Sequence, residues 1–208
     1  MYPDSNHFGY SDRTIMARRI IVAMTGASGA ILAAKTVDAL IDQGIHVSII
    51  PSGPFRMVWK QEIEESFGEW VERWADDPNF EIYAPGDIAA PIASGSYPVD
   101  GMIIVPSSMS TVASIRNGIT DNLIKRAADV CLKEGRKLVI VPRETPLNAI
   151  HLENMGYLAR LGVTILPADP AFYLGIKTIE QSAEITAQRG LLSLEIISEL
   201  PERIRYSK

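Results

Sequence analysis

The chain has 208 residues, 47% of them hydrophobic, which is enough to bury one substantial core and fits a single α/β domain better than two. Its net charge of -5 and pI near 5.3 offer no general attraction to polyanions, which argues against nucleic acid and acidic membrane surfaces as partners. Its one cysteine, Cys131, excludes an internal disulfide and any multi-cysteine zinc site; the chain start lacks a signal-peptide core and no apolar run reaches the roughly 20 residues that span a bilayer, so a reducing cytoplasm is expected.

Residues 1–18 are polar and aperiodic and read as a loose tail or an arm docking on a neighbour; one domain is expected over 19–200, followed by a tail over 201–208. The first strand, 19–24, runs into Thr25-Gly26-Ala27-Ser28-Gly29-Ala30 and a helix over 30–43. Such a loop serves either as a tight strand-to-helix turn or as a place where backbone amides meet a phosphate at a helix N-terminus. It lacks the G-x-G-x-x-G spacing. The second strand, 47–50, ends in Pro51-Ser52 rather than an acidic ribose partner, so a mononucleotide is allowed and a dinucleotide disfavoured. The loop also distantly resembles a nucleophile elbow, but its final Gly is missing and no oxyanion-hole motif accompanies it.

A helix over 54–65 leads into residues 64–96, a weakly patterned insertion whose Trp70 and Trp74 sit at helical spacing suited to core packing. The third strand, 101–105, opens into Pro106-Ser107-Ser108-Met109-Ser110-Thr111, whose hydroxyls suit either helix capping or flavin and phosphate contacts. Helices follow over 109–117 and 121–134. On the second, Asn122, Arg126, Asp129 and Lys133 share one face, either as a solvated stripe with an Asp129–Lys133 pair or as cations facing an anionic ligand or a neighbouring subunit. The fourth strand, 138–141, ends in Arg143-Glu144, an expensive place for charge unless the two pair with each other or bind something. A helix over 146–161, a strand over 163–166, the run Pro170-Ala171-Phe172-Tyr173 and a helix over 178–200 complete the order. Strands apolar on both faces, alternating with helices, predict a three-layer doubly wound parallel sheet, flavodoxin-like or Rossmann-like, with ligands at its carboxyl edge. His7, His46 and His151 are scattered without metal-ligand spacing.

These motifs together resemble the flavin prenyltransferase (UbiX-like) family over residues 19–196. The resemblance rests on Met24 to Ala30, Ala93-Ser94-Gly95-Ser96, Pro106 with Ser108 to Thr111, Arg126-Ala127-Ala128-Asp129-Val130 and Leu132-Lys133-Glu134. It extends through Val141-Pro142-Arg143-Glu144-Thr145-Pro146-Leu147, His151-Leu152-Glu153-Asn154-Met155 and Pro170-Ala171-Phe172-Tyr173. It implies bound FMN, a ring-like dodecamer built from trimers, and metal-free transfer of a dimethylallyl group from dimethylallyl monophosphate to N5 and C6 of reduced FMN. The product, prenylated FMN, would pass to a UbiD-like decarboxylase. By position, the resemblance implies flavin contacts from Gly26, Ala27, Ser28, Ser52, Ser108, Met109, Ser110, Thr111 and Arg143. It implies a donor site from Arg126, Lys133, Arg143, Glu144, Tyr173 and Arg189, and catalytic roles for Ser28, Glu62, Lys133 and Glu144.

That chemistry agrees with the residues, since a departing phosphate needs gathered cations and a developing allylic cation needs π surfaces. The base for ring closure stays open among Glu62, Glu144 and the released phosphate. Two departures stand out: Ser107 replaces a frequent Cys, and Leu174-Gly175-Ile176-Lys177 replaces a Pro-containing loop. Rival readings are another FMN enzyme of the cysteine-decarboxylase type and a non-enzymatic flavin carrier.

Overall fold

The computed structural model describes residues 18–205, so all but the last residue of the tail expected over 1–18 lies outside the described residues. Six strands form one sheet: β1 (Arg19–Met24), β2 (His46–Pro51), β3 (Phe80–Ile82), β4 (Gly101–Ser107), β5 (Lys137–Pro142) and β6 (Thr164–Ile165). Their order is β3-β2-β1-β4-β5-β6 and every pairing is parallel. The order reverses between β1 and β4, which makes the crevice beyond their carboxyl ends the topological switch point. Between β4 and β5 the register shifts at Ile104 to Ser107, next to that crevice.

The helices are α1 (Ala30–Ile41), α2 (Gly53–Glu62), α3 (Phe67–Trp74), α4 (Met109–Arg116), α5 (Leu123–Lys133), α6 (Ala149–Arg160) and α7 (Ile179–Ser193). Alternation along the strands divides the core. Ile20, Val22, Met24, Ile103, Val105 and Val139 pack under α1, α2, α3 and α7, while Ile21, Ala23, Met102, Ile104 and Ile140 pack under α4, α5 and α6. Helix α7 lies so close to β4 that a Cβ on Gly190 would come within 2.9 Å of Ile103 Cδ1.

The insertion of unspecified shape is α3 plus β3. Phe67 and Trp74 are buried and close an aromatic cluster with Phe55, Trp59, Trp70 and Phe80, so the expected packing role of the Trp pair holds. Every expected helix is shorter than read, and three show why. Helix α2 ends at Glu62 because Ile63 is extended; α6 starts after the Asn148 cap, which accepts from His151 N. Helix α7 stops at Ser193, where Glu195 turns to a φ of 57° and Ile196 N donates back to Leu191 O. Residues 201–205, read above as tail, pack back onto the domain: Ile204 is buried and Arg203 pairs with Glu184.

Candidate active site

Four strand ends are stitched into one rim. Ser52 N donates to Met24 O (2.9 Å), linking β2 to β1. Thr25, 4% exposed, spans the switch point: its N and Oγ1 both donate to Pro106 O at 3.1 Å, and its Oγ1 accepts from Ser108 N at 2.8 Å. Arg143 N donates to Ser107 O at 3.2 Å, which ties β5 to β4. Thr25 was read above only as part of the loop; its role is invisible in sequence because both partners lie more than eighty residues away.

The loop after β1 is pressed onto the start of α2. A Cβ on Gly26 would meet Pro54 Cβ at 2.5 Å, and Gly29 takes a φ of 111°, so both positions need glycine. The amides of Gly29 and Ala30, two of those expected to face a phosphate, donate instead to the Glu62 carboxylate at 2.8 and 2.7 Å. An acid at a helix N-terminus gains from unpaired N–H groups and the helix dipole. Glu62 is the last residue of α2, and that end is held by the aromatic cluster: Trp59 O accepts from Ile63 N, and Trp59 Nε1 donates to Glu65 O at 2.9 Å. Ser28 is exposed beside it.

The serine rim proves to cap helices. Ser52 Oγ accepts from Phe55 N at 3.1 Å, while Ser108 Oγ accepts from Thr111 N at 3.3 Å and lies 3.0 Å from Thr111 Oγ1. Capping leaves the Ser52 hydroxyl free to donate its own proton, whereas Ser108 shares its hydroxyl with Thr111 Oγ1. Met109 and Thr111 are buried and Ser110 is exposed at the first turn of α4.

Arg143 and Glu144 do not form the ion pair considered above. Glu144 Oε1 accepts from Thr145 N (3.1 Å), and Arg143 Nε is buried with no hydrogen-bond partner. Arg143 stands between two cavities. One, of about 590 Å³, runs past Glu144, Leu152, Met155 and Asp169; the other, of about 420 Å³, opens onto Ser28, Gly29, Ala168 and Lys177. A buried guanidinium nitrogen without an acceptor, at the carboxyl end of β5, fits an anionic or polar ligand supplied from outside the chain.

The remaining predicted residues lie elsewhere. The expected Asp129–Lys133 pair does not form, because each side chain has a nearer partner: Asp129 binds Arg126 Nη1 at 2.9 Å and Lys133 pairs with Glu134. Arg126 Nε also donates to Ala93 O at 3.1 Å, and Arg136 Nη2 donates to Gly95 O at 2.6 Å, so this side of α5 holds the Ala93–Ser96 loop. Asn122 is the α5 cap. Tyr173 is 67% exposed on a short 3-10 turn, and Arg189 is half-buried on α7. Neither cavity lined by Arg143 includes Arg126, Lys133, Tyr173 or Arg189. Among the described residues, no cluster of three or more His, Cys, Asp or Glu could hold a metal, and no helix is long and apolar enough to cross a membrane.

A family profile described as Flavoprotein matches residues 10–189. The chain is 43% identical to flavin prenyltransferase LpdB of Lactiplantibacillus plantarum over 187 residues, covering 89% of this chain and 97% of that protein. Its fold superposes on the crystal structure of AnUbiX (PadA1) in complex with FMN and dimethylallyl pyrophosphate with a TM-score of 0.81 and 42% identity, covering 86% and 93% of the two chains. A dodecameric FMN-dependent UbiX-like decarboxylase from Escherichia coli O157:H7 gives 0.78 and 43%, over 83% and 92%. The peptidyl-cysteine decarboxylase EpiD shares the fold alone, at 21% identity and a TM-score of 0.53 over 72% and 86%.

Proposed function

The chain belongs to the flavin prenyltransferases of the Flavoprotein family, and we propose that it moves a dimethylallyl group from dimethylallyl monophosphate onto N5 and C6 of reduced FMN. The observation that carries this reading to the residues is Arg143, whose Nε is buried without a partner where two cavities meet at the carboxyl end of β5. The FMN-binding unit is taken as one domain over 19–200.

Bound and reduced, FMN supplies the nucleophilic ring edge that accepts the dimethylallyl carbon. Gly26, Ala27 and Ser28 after β1, Ser52 after β2 and Ser108 to Thr111 after β4 are the residues that would hold it. Arg143 binds it through the free guanidinium nitrogen. Gly26 is required because any side chain there would strike Pro54 before a ligand could approach the backbone.

On the donor side, cations must hold the phosphate as its C–O bond breaks and negative charge grows on the departing oxygen. Lys133, Arg189 and Arg126 are assigned that task with Arg143, and the Tyr173 ring covers the allylic carbons as they become positive. Glu62 is fixed by Gly29 and Ala30 with lone pairs to spare, so it accepts a proton without moving far. Glu144 and the departing phosphate are the other acceptors in reach of this assignment.

Arg126, Lys133, Tyr173 and Arg189 line neither cavity bordered by Arg143, and nor do Gly26, Ala27, Ser52 and Ser108 to Thr111, so one copy alone does not gather the assigned contacts around one cavity. We assign the chain a homo-dodecamer on that ground and on its likeness to the dodecameric Escherichia coli protein. Prenylated FMN is assigned to a UbiD-like decarboxylase in the cytoplasm. A flavin carrier would share the flavin contacts but has no use for cations around a leaving phosphate. Anaerobic incubation with reduced FMN and dimethylallyl monophosphate tests the assignment: stoichiometric release of inorganic phosphate supports it, and flavin binding without release favours the carrier.

A further inference from the structure

Glu62 is assigned to take a proton although it is the last residue of a helix, so what fixes its carboxylate decides whether it can. The side chain is exposed and crosses to α1, where the Gly29 and Ala30 amides donate to it at 2.8 and 2.7 Å. Helix ends fray, whereas a proton acceptor must stay within hydrogen-bond reach of the group it serves. The residues that follow give no obvious support: Ile63 is already extended, and Glu64, Glu65 and Ser66 are exposed.

The segment is nevertheless pinned from beneath. Trp59, one turn before Glu62 and 1% exposed, reaches past the end of α2. Its indole Nε1 donates to Glu65 O at 2.9 Å, while its own carbonyl accepts from Ile63 N at 2.9 Å. One residue thus closes the turn on both sides of Glu62. The indole is itself locked, because Phe55, Phe67, Trp70 and Trp74 meet it edge-on with ring centres between 5.0 and 6.3 Å away. On the far side, Arg73 of α3 holds the Glu65 carboxylate at 2.7 Å and lies over the Trp70 ring. The Ser66–Glu69 cap then starts α3 at the next residue. The insertion between α2 and β3 is therefore the backing of the turn that carries Glu62.

We propose that Trp59 is a positioning residue for prenyl transfer: its indole N–H, by fixing Glu65 O, keeps the Glu62 carboxylate seated on the Gly29 and Ala30 amides, and turnover depends on that seat. The inference rests on the prenyl-transfer reading for the proton that Glu62 accepts, while the seat itself belongs to the fold. Losing one neutral hydrogen bond shifts the balance between seated and released carboxylate by a factor of about 2–10. Trp59 lines neither cavity bordered by Arg143, so the same loss spares binding.

Trp59→Phe keeps an aromatic ring in the cluster and removes the N–H. Steady-state transfer by the full chain, with reduced FMN and dimethylallyl monophosphate, reads the reaction; amide hydrogen exchange of the ligand-free protein reads Gly29 and Ala30 directly. Trp59→Phe should lower kcat about fivefold, leave FMN affinity and donor KM within about twofold, and speed exchange at Gly29 and Ala30 by a similar factor to the loss in kcat. Because the effect runs through Glu62, Trp59→Phe should cost no further activity in a Glu62→Gln background. Trp74→Phe is the control for packing: it removes another indole bond of the same cluster, to Asp38 Oδ1 at 2.8 Å on α1, and should lower the melting midpoint without lowering kcat. A Trp59→Phe protein as fast as wild type, a loss that persists undiminished in Glu62→Gln, or a Trp74→Phe protein slowed as much overturns the proposal. If wild type transfers no dimethylallyl group, exchange still separates the two ideas: faster exchange in Trp59→Phe leaves the seat standing while the function reading falls, and unchanged exchange removes both.

Discussion

Replacing Thr25 with Val removes one oxygen at the switch point and almost nothing else, since the side chain is buried and the two residues have nearly the same shape. Pro106 O keeps its bond from Thr25 N, so it is not orphaned. Ser108 N loses its acceptor, the Thr25 Oγ1 at 2.8 Å. An unsatisfied buried donor costs about 1–3 kcal/mol. For a chain of this length each kcal/mol lowers the melting midpoint by about 2–4 °C, so Thr25→Val should melt about 2–12 °C below wild type. Ser108 opens the segment that caps α4 and is assigned to the flavin, so FMN affinity should fall by about tenfold in the same variant. Thr25→Ser, which keeps both bonds, separates the lost hydrogen bond from lost packing. Thermal melting of the ligand-free protein and fluorescence titration with FMN provide both numbers. A Thr25→Val protein that melts with wild type and binds FMN equally well would refute the view that this residue ties β1 to β4.

Other residues give signs as well as sizes. Arg143→Met should abolish most FMN binding, about ten- to hundredfold by the worth of hydrogen bonds to a charged group, while the ligand-free variant melts at or above wild type. The second half follows because a buried Nε without a partner costs the ligand-free protein free energy that an apolar side chain does not; titration and melting on the same sample check both. Glu62→Gln keeps one acceptor for Gly29 or Ala30 but loses the charge at the α1 N-terminus, so stability should drop by only about 0.3–1 kcal/mol. Prenyl transfer in that variant should fall at least about tenfold by the contribution of a placed proton acceptor, seen as lower kcat with unchanged FMN affinity. Burial pushes the Cys131 thiol from its ordinary 9.0 up to about 12. Its contribution is therefore intact below pH 9 and lost as pH rises toward 12, because the unfolded chain gives up the proton first. Denaturant unfolding between pH 8 and 10.5 should show a decline above pH 9, to which Cys131 contributes at most ~1.4 kcal/mol per unit, and Cys131→Ala should decline less steeply.

The central strands were legible because each is apolar on both faces and ends in a turn residue; β1 matches its predicted span and the others differ by a residue or two at each end. Strand β3 was not legible: it has three residues at a sheet edge, and Glu81 at its centre turns to Ser48, Tyr83 and Arg19 rather than offering an apolar run. Helix α3 carries a start signal in its sequence. Ser66 and Glu69 form a reciprocal cap just before Trp70 and Trp74, at the spacing a helix start requires. In the site, small hydroxyl residues at strand ends marked the rim, and an arginine after an apolar strand marked the buried, unpartnered guanidinium nitrogen. Partners across the fold carried no mark. The link from Thr25 to Ser108, the seat of Glu62 on Gly29 and Ala30, and the choice of Asp129 by Arg126 over Lys133 all depend on which side chains the fold brings together.

The most direct test of the whole account is the mass of the flavin recovered after anaerobic incubation of the protein with reduced FMN and dimethylallyl monophosphate. The account predicts a flavin heavier by one dimethylallyl group, with one phosphate released for each flavin converted. Recovery of FMN at its original mass, at saturating donor and with flavin demonstrably bound, would contradict it.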